Sequence, residues 1–122
     1  MYRNDEKKKT RKQVVKPGVY NSKVISVTVD EDYVQRVIRV TYELTTKDGK
    51  TLEFTETFWL NDNNERSNEL LDYLAENEIY EDHLEEFTGC REQVTIKKNI
   101  SHGHAFPSIV AREFIDHHGE NS

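Results

Sequence analysis

The chain of 122 residues is 34% hydrophobic and 33% charged, which fits one folded domain and excludes a fully disordered chain. No apolar run approaches the roughly 20 residues needed to cross a bilayer, and the N-terminal residues lack the apolar core of a signal peptide. A single cysteine, Cys90, cannot form an internal disulfide, so we expect a cytoplasmic protein with no membrane association.

The net charge of −6 divides unevenly along the chain. Residues 1–16 hold seven Lys and Arg against Asp5 and Glu6, a net charge of +5, which leaves −11 for the rest. Such an arm predicts a solvated, flexible segment or, alternatively, one that tracks phosphates by releasing their counterions. Its phosphate candidates are Lys7, Lys8, Lys9, Arg11 and Lys12.

The β pattern starts with a predicted strand at residues 19–29, followed by an acidic loop at 30–33. Residues 34–60 then predict one long β-hairpin, in which Asp48-Gly49 supplies the turn. Apolar side chains of both arms fall on one face: Ile38, Val40, Tyr42, Leu44, Leu52, Phe54, Phe58 and Leu60. Trp59 has the opposite parity, so its indole should point away from that face.

A helix is predicted next, because residues 61–64 offer N-cap acceptors and Leu70, Leu71 and Leu74 form an apolar stripe. A second short helical turn should hold Leu84 and Phe87, with Gly89 ending it in a left-handed conformation. A fourth strand around residues 93–97, a turn at 99–104 and a fifth strand at 106–115 complete the pattern. Pro107 should lie at a strand start or on an unpaired edge.

Five strands with one or two helices between the third and fourth strands match the element order of the OB-fold, a small, partly open Greek-key β-barrel. Four features of this chain carry a resemblance to a known family: Pro17-Gly18-Val19-Tyr20, the hairpin up to Trp59-Leu60, the leucine-bearing helix, and Phe87-Thr88-Gly89-Cys90 ahead of Val94-Thr95-Ile96-Lys97. Through these features, residues 17–115 resemble small phage and mobile-element OB-fold single-stranded-DNA-binding proteins. The resemblance implies a mainly β, barrel-like domain at 17–115, between a flexible basic arm at 1–16 and a disordered tail at 116–122.

The same resemblance implies binding by stacking plus charge, in which aromatic rings stack on bases while basic side chains hold phosphates. OB-folds use the face of strands two and three, with the loops that follow strands one and four. The stacking candidates are Tyr33, Trp59, His102, His104 and Phe106. The phosphate candidates are Arg36, Arg39, Lys97, Lys98 and Arg112, together with the arm.

Ordinary structural roles compete with several of these assignments. Trp59 could instead pack under the helix or the arm, and ordinary packing is the favoured role of Tyr33 and Phe106. Arg39 could form a cross-strand ion pair with Glu43 or Glu53. Cys90 fits a small buried hydrophobe better than a nucleophile. The loosely spaced histidines do not match zinc-ligand spacings, so we expect no metal and no cofactor.

Catalysis is not expected, because the sequence contains no phosphate loop, nucleophile elbow or zinc-protease motif. Its many carboxylates, Glu56 among them, are spread as on a solvated surface. The acidic body indicates a second class of function, a protein-interaction module such as an accessory or anti-defence protein that docks on a basic partner or imitates nucleic acid. An exposed sheet edge would also allow pairing with a second copy of the chain.

Overall fold

The computed structural model describes residues 15–31, 34–60 and 64–117, and these are mainly β. The strands are β1 (Gly18–Glu31), β2 (Arg36–Thr45), β3 (Thr51–Trp59), β4 (Arg91–Ser101) and β5 (His104–Asp116). Between β3 and β4 lie the helix α1 (Glu65–Glu76) and a 3₁₀ helix (Glu81–Phe87). The predicted sequence of three strands, helical segments and two strands is confirmed.

The five strands form one antiparallel sheet in the order β3-β2-β1-β4-β5. β3 and β5 are therefore its edges, and in the described residues no backbone ladder joins them. The mainly β class holds, whereas the sheet is not closed into a barrel by strand pairing.

Alternation along the long hairpin builds the core as predicted. Tyr42 and Phe54 are register partners on β2 and β3, and their rings stack with centroids 6.1 Å apart. Leu70 and Leu74 of α1 are buried in the same cluster. Because burying a large apolar side chain contributes about 1.5–3 kcal/mol, this face supplies most of the driving force for folding.

Local signals in the sequence explain where the helices and turns lie. The Asn64 side chain accepts a hydrogen bond from the Ser67 backbone N–H at 3.1 Å, which makes it the N-cap of α1. Gly49 in the β2–β3 turn has φ 88°, and Gly89 after the 3₁₀ helix has φ 89°. Both glycines adopt the left-handed conformation that the sequence predicts for them.

The outer edge of β3 is covered by side chains from α1. The Arg66 guanidinium donates to the Thr57 carbonyl at 3.2 Å, and the Ser67 hydroxyl donates to the Trp59 carbonyl at 3.1 Å. These bonds occupy backbone acceptors that would otherwise be available to another strand.

The largest departure from the sequence prediction concerns the end of the β4–β5 hairpin. Residues 99–104 were expected to form a turn, but β4 runs to Ser101 and β5 starts at His104. The turn itself is only His102 and Gly103, with φ 51° and 80°. Positive φ at both central residues is the geometry that matches the twist of the flanking strands. β5 ends at Asp116, one residue past the predicted boundary, and Pro107 lies on this edge strand as expected.

Candidate nucleic-acid interface

The β4–β5 hairpin extends beyond the rest of the sheet. β1 pairs with β4 only as far as Gly18 and Ile96, whereas β4 continues to pair with β5 up to Ser101 and His104. Residues 97–108, hereafter the β4–β5 ribbon, therefore have sheet partners only within the ribbon. A two-stranded ribbon of this kind presents side chains on both of its faces.

One ribbon face combines charge with an aromatic ring. Register partners share a face in an antiparallel pair, and the pairs here are Lys97 with Ser108, Asn99 with Phe106, and Ser101 with His104. The other face carries Lys98, Ile100, Ala105 and Pro107. Phe106 is 42% exposed and Ile100 is 74% exposed, so apolar surface is available to a ligand on either side.

The β4–β5 ribbon also differs from the rest of the chain in charge. Residues 93–112 contain no Asp or Glu, although the chain has 23 of them. Lys97 and Lys98 are exposed, and no described carboxylate forms an ion pair with them. Their positive potential is thus not cancelled locally.

Residues 7–29 form a second interval without Asp or Glu, and its described part, residues 15–29, lies next to the first interval in the sheet. Val19 pairs with Thr95, and Gly18 pairs with Ile96 at the base of the ribbon. The Tyr20 hydroxyl donates to the Lys16 carbonyl at 2.6 Å, which fixes the point at which the basic arm joins the sheet. The described parts of the two longest acid-free segments of the chain therefore meet at one end of β1.

Arg36 and Arg39 lie outside this region, and carboxylates neutralise both. The Arg36 guanidinium contacts the Glu81 carboxylate at 2.8 Å. Arg39 pairs with Asp30 of β1, not with the glutamates on β3 and β2 that the sequence suggested. Exposed pairs of this kind contribute little to stability, but they leave less positive charge for phosphates than the sequence predicted.

Arg112 is the clearest correction to the predicted site. Its side chain is only 11% exposed and faces the interior, where it contacts Glu92 and Glu56, each at 3.1 Å. It also donates to the Tyr42 hydroxyl at 2.9 Å. Arg112 is therefore part of the buried structure and is not presented to a phosphate.

Trp59 points away from the core, as its parity predicts, and is 41% exposed. It lies opposite the buried Val37, diagonally across from Arg39. Further along this face Glu43 and Glu53 are direct register partners, so two like charges stand side by side. This face offers one ring without a matching cluster of free basic groups.

The structure thus brings together five of the predicted contact residues and separates others. Lys97, Lys98, His102, His104 and Phe106 gather on the β4–β5 ribbon. Tyr33 and the arm residues Lys7, Lys8, Lys9, Arg11 and Lys12 lie outside the described part of the chain. The ribbon is accordingly the candidate interface that the described residues define.

Next to the base of the ribbon, a buried polar cluster surrounds Glu56, which the sequence pattern did not predict. The Glu56 side chain, 3% exposed, accepts from the Tyr42 hydroxyl at 3.2 Å and from the Ile109 backbone N–H at 3.3 Å. It also accepts from Arg112 at 3.1 Å and from Arg66 at 3.0 Å. Glu56 and Ile109 belong to the two edge strands, so this carboxylate links edges that no backbone ladder joins.

Charge and burial oppose each other in this cluster. Burial raises the pKa of the Tyr42 hydroxyl and that of the Tyr73 hydroxyl, so both remain protonated. Burial alone would lower the pKa of the Arg112 guanidinium, but Tyr42, Glu92 and Glu56 around it raise the pKa instead. Next to the cluster is a pocket of about 180 Å³, whose lining includes Glu56, Arg66, Tyr73 and Arg112. Its basic groups, Arg66 and Arg112, are already paired with carboxylates, so it does not resemble a vacant anion site.

Other chemistry finds little support in the described residues. Cys90 is buried, its thiol donates to the Glu86 carbonyl at 3.5 Å, and burial raises its pKa to about 12, which disfavours the reactive thiolate. The described histidines, cysteine and carboxylates form no cluster of three or more that could hold a metal ion. None of the described helices has the length and apolarity needed to span a membrane.

Protein-family models, curated proteins and solved structures gave no match to this chain.

Proposed function

We propose that this chain is a non-enzymatic protein of phage or mobile-element type that binds single-stranded nucleic acid, with single-stranded DNA as its ligand. The observation that carries the proposal is the β4–β5 ribbon, an exposed and acid-free extension of an acidic body. A polyanion that approaches the chain would be attracted to this extension and repelled by the acidic body.

The strand order supports an OB-like reading of the fold. β3-β2-β1-β4-β5 is the order of an OB barrel opened between its third and fifth strands. Glu56 and Ile109 bring these two edges together through a side chain. In that reading the ribbon takes the place of the loop between strands four and five, which OB-folds use for oligonucleotides.

Binding would combine one aromatic platform with point charges. Phe106 offers a ring on which a base can stack, and Lys97 lies on the same ribbon face. Each stacked base is worth about 1–3 kcal/mol and is largely indifferent to base identity. The basic arm, which joins the sheet beside the ribbon, would add further phosphate contacts along the same strand.

Fluorescence anisotropy with an oligo-dT tests the proposal. We compare the parent with a variant that carries Lys97→Glu and Lys98→Glu. The matched control carries Lys47→Glu and Lys50→Glu, because these lysines are also exposed, on the β2–β3 hairpin, and the change in net charge is identical.

Parent binding that weakens with added salt, and that the ribbon variant loses while the control retains it, would support the proposal. Three phosphate contacts would give a salt slope of about −2 for a single strand. Absence of binding at low salt would refute the proposal. Equal losses in both variants would show that only net charge matters and that the ribbon is not the site.

A second candidate function, an acidic protein-interaction module, rests on the segment between β3 and β4. Residues 65–86 contain nine carboxylates, and all nine are exposed. Arg66 is the one Lys or Arg in this range. Such a surface suits a basic partner. Calorimetry with poly-lysine would compare two double variants. One carries Glu85→Lys and Glu86→Lys in this segment, and the matched control carries Glu43→Lys and Glu53→Lys on the sheet. Equal weakening in both variants would remove the reason to assign this segment a partner.

A further inference from the structure

Two histidines stand at the end of the β4–β5 ribbon. His102 occupies the first turn position, and His104 starts β5 opposite Ser101. Both side chains are exposed. Because register partners share a face, His104 lies on the face that also carries Phe106 and Lys97.

The charged residues nearest to these imidazoles along the two strands are Lys97 and Lys98. The others on β4, on β5 and just before β1 lie farther along the strands: Lys16, Arg91, Glu92, Arg112, Glu113 and Asp116. The two glutamates lie ten positions before His102 and nine positions after His104. Among the described histidines, ion pairs with carboxylates are formed by His83, which belongs to the acidic segment.

Histidine is the side chain whose charge ordinarily changes between pH 5 and 8. On the free ribbon, protonation adds positive charge to a hairpin that already carries Lys97 and Lys98 and has no Asp or Glu between residues 93 and 112. A bound phosphate backbone supplies the compensating negative charge, so the bound state should hold protons that the free state releases.

We propose that binding of single-stranded nucleic acid to the β4–β5 ribbon is coupled to proton uptake by His102 and His104, so that acidification strengthens binding. This inference rests on the proposed function, since it concerns the same ligand at the same ribbon. It adds a regulatory property: the ribbon's formal charge rises from +2 to +4 when both imidazoles are protonated.

The test measures the affinity for oligo-dT between about pH 8 and pH 5.5, the range in which histidine changes charge. Thymine and the phosphodiester do not titrate there, so a change in affinity reports on the protein. The ribbon variant carries His102→Asn and His104→Gln, because asparagine tolerates the positive φ of residue 102. The matched control is His83→Gln, which removes an exposed imidazole from the acidic segment.

For the parent and the control we expect tighter binding at the lower pH, by up to about eightfold per imidazolium at about 50 mM salt, and a steeper salt slope. The ribbon variant should lose most of this gain, whatever its affinity at pH 8. Comparison at each pH removes the contribution of carboxylates that protonate in all three proteins. Thermal unfolding of each protein checks that it is folded.

Parent binding that is unchanged by pH, or a gain that survives in the ribbon variant, would overturn the inference while leaving the proposed function intact, provided that salt-sensitive binding persists at pH 8. No binding at any pH would overturn both. Loss of the gain in His83→Gln alone would assign the proton linkage to the acidic segment and refute it for the ribbon.

Discussion

Glu56 on β3 and Arg112 on β5 form an ion pair, with Oε1 and Nη2 3.1 Å apart, between the two edge strands of the sheet. The same carboxylate accepts the Ile109 backbone N–H at 3.3 Å. Arg112 in turn reaches Glu92 of β4 at 3.1 Å. One buried glutamate therefore holds together two edges of the sheet that are far apart in its strand order.

Replacement of Glu56 by alanine should be strongly destabilising. It removes four hydrogen bonds at once and leaves Arg112 buried with one carboxylate partner instead of two, so we expect a loss of about 3 kcal/mol in the free energy of unfolding. Urea denaturation followed by circular dichroism measures this. Glu53→Ala, on the exposed face of the same strand, is the control and should change the value by less than about 0.5 kcal/mol. Equal effects of the two substitutions would show that the cluster does not stabilise the fold.

Much of the fold could be predicted from the sequence, but this cluster was not. Glu56 falls on the same parity as Phe54 and Phe58, which is the signal that could have placed it inside. It was instead counted with the solvated carboxylates, because an isolated charge is normally excluded from a core. Its burial is tolerated only because distant donors surround it, and local alternation does not reveal such donors.

Arg112 was misplaced for a related reason. A register shift between Thr95 and Ile96 leaves Val110 as an extra residue on β5. A bulge of this kind changes which side chains face inward beyond it, and an alternating pattern read from the sequence cannot show where that happens. The turn predicted at residues 99–104 is shorter in the structure, because residues 99–101 and His104 lie on the paired strands and only His102 and Gly103 form the turn.

Phe106→Ala should weaken oligonucleotide binding more than Trp59→Ala. Phe106 lies on a ribbon face with Lys97, whereas the basic neighbour of Trp59 is already paired with Asp30. We expect a loss of about 1–3 kcal/mol in binding free energy for Phe106→Ala. Titration of oligo-dT by anisotropy gives both values, and a larger loss for Trp59→Ala would move the stacking platform to the β2–β3 face.

Cys90 should be unreactive in the folded protein. Its pKa is raised to about 12 by burial, so almost no thiolate exists near pH 8, and the sulfur is inaccessible to reagents. A disulfide-exchange reagent such as Ellman's should label it in urea but not in buffer. Labelling in buffer at the rate seen in urea would contradict the buried position.

His83 should stabilise the folded state at acidic pH but not at alkaline pH. Its pKa is raised, first by the hydrogen bond with Glu85 and then by the charge of Asp82. A raised pKa in the folded state gives a contribution that is complete below the ordinary value of about 6.5 and is lost as the pH rises through the raised value.

Nuclear magnetic resonance titration of the imidazole measures that pKa directly. Denaturation of His83→Gln should then show a lower free energy of unfolding than the parent near pH 5.5 and no difference near pH 8.5. A difference confined to the alkaline side would contradict the sign.

The pairing of the arginines has a consequence for selectivity. Every arginine in the described part of the chain contacts a carboxylate. The planar guanidinium group, which can recognise guanine through two hydrogen bonds, is therefore already paired in each of these residues. The ammonium groups of Lys97 and Lys98 are compact and freely rotating donors that fix no such geometry. A nucleic-acid strand bound to this ribbon would therefore be recognised by the spacing of its phosphate charges and not by the identity of its bases.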